Sequence, residues 1–186
     1  MPSIYILAGP NGAGKTTAAY GLLPNVFKTV EFVNADEIAH GLSPLNPDSV
    51  RIQAGRIMLE RLNYFIEEKK SFAFETTLSG LSYLNLIEAA RILEFQIILF
   101  FVWIDSFELA KKRVAERVRK GGHNIPENVI ERRYWKALKN FSKYIKQVDN
   151  WYLYDNSGIE YVLIAKCVEG EKEIFKFEVF NKITQI

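Results

Sequence analysis

Apolar residues in this chain fall into short runs, separated by longer stretches in which they recur every three or four positions. Ser3 to Ala8 is a largely apolar run halted by Gly9-Pro10, and it predicts a buried strand. Val30 to Asn34 and Phe72 to Glu75 predict a second and a third strand. Ile97 to Ile104 is apolar at every position, as expected of a central strand covered on both faces. Trp151 to Tyr154, Tyr161 to Lys166 and Ile174 to Phe180 predict three more. Helical spacing fills the intervals. One helix follows Gly14 to about Leu22, and another is opened by Asn46-Pro47-Asp48 and carries Ala54, Met58, Leu62 and Phe65. Leu81 to Leu93 is a third helix. A fourth starts at Asp105, with Asp105 and Glu108 spaced as a capping pair, and breaks at Gly121-Gly122. The last runs from Pro126 to about Val148.

Strand–helix alternation of this kind predicts an α/β fold with three layers, a mainly parallel sheet between helices. Such sheets bind ligands at the carboxyl ends of their strands, so polar residues there carry the functional expectation. No repeat, low-complexity tract or linker divides the sequence, which reads as one domain over residues 1–186.

The end of the first strand holds the strongest chemical signal. Gly9, Pro10, Asn11, Gly12, Ala13, Gly14, Lys15 and Thr16 match G-x-x-x-x-G-K-[ST] in full, and Thr17 continues into the helix. Backbone N–H groups of such a loop surround phosphate oxygens, and the helix directs its positive end at the same anion. Lys15 reaches the β- and γ-phosphates, while the Thr16 hydroxyl ligates Mg²⁺. A P-loop NTPase that binds ATP with Mg²⁺ is the expectation, and γ-phosphate transfer to a hydroxyl is its leading reaction.

Two other strand ends supply candidates for the acceptor side. Asp36 follows the second strand and is either the base that takes the acceptor's proton or the N-cap of the helix beginning near Glu37. Glu75 and Thr77 close the third strand, where they either hydrogen-bond the acceptor or, for Glu75, hold a water on Mg²⁺. Asp105 ends the central strand as a Walker-B carboxylate would, although its spacing to Glu108 favours a cap.

Charge changes this picture in one region. Between Lys111 and Lys146 there are twelve Lys or Arg against three Glu, in a chain whose net charge is +2. Helical spacing puts Lys136, Lys139, Lys143 and Lys146 on a solvated face with Arg132. Arg113, Arg117 and Arg133 lie beside the apolar stripes, where a guanidinium needs either a phosphate or an internal carboxylate. Residues about 113–133 therefore read as a lid over the nucleotide, with Gly121-Gly122-His123 as its turn. The lysine row has little aromatic interleaving, so nucleic acid is a disfavoured partner. A polynucleotide 5′-hydroxyl kinase and a regulatory ATPase without an acceptor remain the alternative readings. A single cysteine, Cys167, excludes an internal disulfide, and no run is long enough to span a membrane. With no signal peptide discernible before Ile4, a cytoplasmic protein is expected.

The runs GPNGAGKTT, VNADEIA, FAFETTLSG, RVAERVRKGGHNIPENVIERRY and YDNS, in that order, resemble the zeta-toxin-like family of small P-loop kinases and ATPases. The resemblance implies a kinase-type sheet of strand order 2-3-1-4-5 and ATP and Mg²⁺ bound by Lys15 and Thr16. It makes Asp36 the catalytic aspartate and sets Glu75 and Thr77 against a sugar substrate. It also implies that arginines among Arg113, Arg117, Arg119, Arg132 and Arg133 hold phosphates, and that Asn156 lies near the adenine. Zeta toxins phosphorylate UDP-N-acetylglucosamine and are restrained by a small antitoxin protein, so that acceptor and that partner are implied here. Thr76 stands where the family's substrate motif usually has glycine.

Overall fold

A computed structural model describes residues 1–22, 29–122 and 124–186. The elements run β1 (Ser3–Ala8), α1 (Lys15–Leu22), β2 (Phe32–Val33), α2 (Ala35–Leu42), a 3₁₀ turn (Pro47–Val50), α3 (Arg51–Glu67), β3 (Phe72–Thr76), α4 (Ser82–Ile92) and β4 (Gln96–Trp103). They continue with α5 (Phe107–Arg119), α6 (Glu127–Tyr144), β5 (Asn150–Asp155), β6 (Val162–Val168), β7 (Glu171–Ile174) and α7 (Phe177–Thr184). One seven-stranded sheet has the order β2-β3-β1-β4-β5-β6-β7. Its first five strands are parallel and follow the kinase-type order, and β6 and β7 extend it antiparallel.

Alternation along the strands splits the core between the two sheet faces. Ile4, Ile6, Phe72, Phe74, Ile97, Leu99 and Phe101 pack with α3, α4, α6 and α7 in the larger cluster. Leu7, Ala73, Ile98 and Phe100 pack with Ala19 of α1 on the other face. Rings dominate the first cluster, for example Phe101 against Phe141 at 4.7 Å between centroids. Each fully buried ring of this kind contributes roughly 1.5–3 kcal/mol. This packing fixes the strand ends that carry the site.

The region expected as a lid contains the end of α5 and the start of α6. At the end of α5, Gly122 N–H donates to Arg117 O at 2.9 Å and Gly121 N–H to Val118 O at 3.0 Å. Gly121 has a φ of 87°. This is a Schellman ending, and it terminates α5. His123 lies outside the described residues.

Three local expectations are corrected. The N-cap of α5 is Ser106, whose Oγ accepts from Leu109 N–H, whereas Asp105 N–H donates to Ser157 Oγ at 2.8 Å. The segment Ile174 to Phe180 is not a strand. β7 stops at Ile174, and the chain becomes α7, with Phe180 stacked on Trp151 at 6.1 Å. The strand expected over Val30 to Asn34 shrinks to Phe32–Val33, because Asn34 is used as a cap.

Candidate active site

Between β1 and α1 the chain forms a loop whose shape depends on a distant segment. Asn156 Nδ2 donates to Ala13 O, and the Tyr161 hydroxyl donates to Gly14 O, both at 2.8 Å. A Cβ on Gly14, which has a φ of 89°, would lie 2.6 Å from that amide nitrogen and 2.8 Å from the hydroxyl. Only glycine lets the segment after β5 come this close. Arg113 completes the clamp by donating to the carbonyls of Asn156 at 2.7 Å and of Ser157 and Gly158 at 3.3 Å. Its guanidinium thus ties α5 to the loop expected near the adenine.

Lys15 is buried, and its ammonium donates to Pro10 O at 3.0 Å while lying 3.6 Å from Glu75 Oε1. Burial pushes its pKa below the ordinary lysine range, with Glu75 and Asp36 opposing and Arg117 adding to the shift. The Thr16 hydroxyl donates to Glu75 Oε2 at 2.7 Å. This contact places the carboxylate on the hydroxyl expected to ligate Mg²⁺.

Asn34 links this pair to Asp36. Its Nδ2 donates to Glu75 Oε2 at 3.0 Å, and its Oδ1 accepts from Asp36 N–H at 2.8 Å and Glu37 N–H at 3.4 Å. Asn34 is therefore the N-cap of α2, and the cap reading of Asp36 is corrected. The Asp36 side chain lines three cavities instead. One of 310 Å³ reaches Arg51, Arg117 and the Gly121-Gly122 turn. One of 480 Å³ includes Asp48, Arg51 and Arg133. One of 200 Å³ includes Glu75, Thr77, Tyr83 and Arg133.

Thr77 is held by its neighbours. Its hydroxyl lies 2.9 Å from Ser79 Oγ, and the next residue, Leu78, has a φ of 55° and is fully buried. From α6, Asn140 Nδ2 donates to Leu78 O and the Tyr144 hydroxyl to Gly80 O. A bulky residue in the left-handed region persists only when its surroundings hold it there, and these two side chains do so.

The arginines divide. Arg133 is half-buried and lines the Asp36 cavities rather than the P-loop, with its pKa lowered by burial and then by Arg51. Arg117 is exposed but borders Asp36 and bears electrostatically on Lys15. Arg119 and Arg132 are exposed, as are Lys136, Lys139, Lys143 and Lys146. Three contributors escaped sequence reasoning. Asn34 had a signal, since Asn34 and Glu37 have the spacing of a capping box. Tyr161 and Arg51 had none, because their roles depend on contacts distant in sequence.

Comparison with known proteins identifies the family and the fold. The family model described as Zeta toxin matches residues 1–163. An uncharacterized protein of Haemophilus influenzae is 32% identical over 126 residues, covering 68% of this chain and 88% of that protein. A chain of the AvrRxo1-ORF1:AvrRxo1-ORF2 complex with ATP superposes with a TM-score of 0.79 and 19% identity, covering 99% of this chain. The present chain spans 64% of that protein's length. A chain from the PezAT chromosomal toxin-antitoxin system of Streptococcus pneumoniae gives 0.70 and 14%, covering 98% of this chain and 78% of that one. Both structures share the fold, and the family match spans most of the sequence. The chain belongs to the zeta toxin family of P-loop phosphotransferases.

Proposed function

We propose that the protein is a kinase that transfers the γ-phosphate of ATP to a hydroxyl of a small molecule, with UDP-N-acetylglucosamine the first acceptor to test. The observation that carries this reading is the chain of contacts from Thr16 through Glu75 and Asn34 to the backbone of Asp36. It connects the phosphate-binding loop to a carboxylate that is released from capping and opens into cavities. In this reading Asp36 accepts the proton of the acceptor hydroxyl as its oxygen bonds to the γ-phosphorus and ADP leaves. Lys15, Arg117 and Arg133 act on the charge of the transferring group, and Gly9 to Thr17 enclose the phosphates.

The residues present fit Mg²⁺. Thr16 and Glu75 offer a hydroxyl and a carboxylate in contact, which are hard oxygen donors. No group of three or more His, Cys, Asp or Glu able to hold a metal exists among the described residues. That suits an ion bound by one or two protein oxygens, water and substrate phosphates. When bound, Mg²⁺ neutralises charge on the phosphates.

A structure of AvrRxo1-ORF1 with ATP supports the nucleotide, and PezAT, described as a toxin-antitoxin system, supports a small antitoxin partner. No helix among the described residues is long and apolar enough to cross a membrane, and a cytoplasmic site of action belongs to the same proposal. The test is incubation of purified protein with ATP, Mg²⁺ and UDP-N-acetylglucosamine, with products read by mass spectrometry. A sugar nucleotide heavier by one phosphate, absent with Lys15→Ala, is expected. ATP consumption without any phosphorylated acceptor, or labelling of oligonucleotide ends instead, would overturn the acceptor class.

A further inference from the structure

The two faces of the sheet are covered unequally. The larger core cluster takes in residues of α3, α4, α6 and α7, whereas among the described residues the smaller one takes helical residues from the eight-residue α1 alone. On this second face β4 and β5 present Phe100 and Tyr152, stacked at 4.8 Å with 9° between their planes. Where α1 meets these strands a recess of 240 Å³ remains. Buried Leu7, Phe100 and Val102 form its floor, and exposed Thr17, Gly21 and Tyr161 form its rim. No charged side chain lines it, and burial raises the pKa of Tyr154 and Tyr161, which keeps both phenols neutral. Such walls penalise a charged ligand for its lost hydration, while an uncharged apolar one gains by leaving water. An apolar cavity of about 150 Å³ takes up benzene, so this recess admits a somewhat larger ring system.

Among the described residues the recess shares no wall with the three cavities around Asp36, and neither Gly9 to Thr16 nor Asn156 lines it. It is therefore distinct from the acceptor side and from the phosphate cradle. Two of its residues nevertheless connect it to that cradle. Thr17 continues the phosphate loop into α1, and the Tyr161 hydroxyl donates to Gly14 O at 2.8 Å. A protein partner needs about 800 Å² of surface on each side, whereas this recess is built on the scale of a single ring system. We propose that it binds a small, uncharged aromatic molecule, and that the bound ring supports Tyr161 in its contact with Gly14 and so strengthens nucleotide binding. The inference rests on nucleotide binding by the phosphate loop and is independent of the acceptor.

Calorimetric titration of the full chain with indole, with and without saturating ADP and Mg²⁺, tests the site without turnover. Benzoate, a charged aromatic, is the control. Indole should bind and benzoate should not. ADP with Mg²⁺ should tighten indole binding on the order of fivefold or more, and saturating indole should tighten ADP binding by the same factor. Gly21→Leu fills the recess from its rim, where a Cβ meets nothing within 4 Å, and should abolish indole binding while ADP still binds. Ala18→Leu fills the same space from one turn earlier in α1, should the first variant not fold. Tyr161→Phe keeps the ring without its hydroxyl, so indole should still bind but no longer respond to ADP. No indole binding by wild type, equal binding of benzoate, or unchanged affinity in the filled variants overturns the site. Displacement of indole by ADP also overturns it, because the recess would then be the seat of the base. Indole binding indifferent to ADP, or coupling that survives Tyr161→Phe, overturns the link to Gly14. Indole binding by a chain that binds no ADP sinks the nucleotide reading and leaves the site standing.

Discussion

Replacing Asn34 separates two jobs done by one buried side chain. The carboxamide oxygen caps α2, and the amide donates to Glu75 Oε2 at 3.0 Å, with the residue only 8% exposed. Loss of a cap oxygen costs about 1 kcal/mol. A hydrogen bond to a charged group contributes about 1.5–3 kcal/mol. Asn34→Ala loses both, about 2.5–4 kcal/mol in all, which in a chain of this size lowers the melting temperature by about 5–16 °C. Asn34→Ser keeps a capping hydroxyl and loses only the amide, so it should fall about 1 kcal/mol short of the alanine variant's loss. The serine variant should also need more Mg²⁺ for half-maximal ATP turnover, because Glu75 then keeps Thr16 and Lys15 but loses the Asn34 amide. Chemical denaturation gives the two stabilities, and a Mg²⁺ titration of turnover gives the functional arm. Equal midpoints for serine and alanine would refute the capping role. A serine variant with wild-type stability and wild-type Mg²⁺ dependence would refute the bond to Glu75.

Asp36→Asn should reduce phosphoryl transfer by about 10²- to 10⁴-fold with nucleotide affinity unchanged. Its melting temperature should stay within a few degrees of wild type, since Asn34 caps the helix, and a fall of less than tenfold in rate would remove Asp36 as the base. Burial pushes the hydroxyls of Tyr134 and Tyr144 up to about 12, and both donate to backbone carbonyls. Unfolded tyrosines ionise near 10, so between about pH 10 and 12 the native state binds more protons and stability falls as pH rises. The double change Tyr134→Phe with Tyr144→Phe should flatten that slope in denaturant midpoints, and an unchanged slope would contradict the assignment. Lys139→Ala and Lys143→Ala should keep small-molecule turnover within about twofold, because exposed lysines act weakly on a distant site. A loss as large as that from Arg133→Ala would overturn the division of the helix faces.

The sequence disclosed what local chemistry decides. The phosphate loop was legible because its glycines and Lys15 obey backbone geometry, and the central strand because it is apolar on both faces. Strand order came from resemblance, since periodicity does not choose neighbours. The segment Ile174 to Phe180 alternates like a strand, and the stack of Phe180 on Trp151, made from a helix, resolves it. Asn34 and Asp36 both have the chemistry of a cap, and the backbone alone decides which one serves. The dual use of Glu75 was equally hidden, because Thr16 lies 59 residues away and Asn34 lies 41 away. Arginines are hardest to assign, because a long flexible stem lets Arg113 reach carbonyls of another loop where sequence reasoning expected a phosphate.

The clamp on the phosphate loop has a consequence for the timing of biosynthesis. The side chains that hold the carbonyls of Ala13 and Gly14 are synthesised 143 and 147 residues after them. At roughly 5–20 residues per second, a nascent chain spends about 7–30 s without them. During that interval the loop lacks these two contacts, and its nucleotide binding is expected to arrive with the segment that includes Asn156 and Tyr161. Nucleotide-dependent activity would thereby wait for that later segment to be made. Ribosome-arrested chains ending before and after Tyr161, assayed for nucleotide binding, would measure the delay.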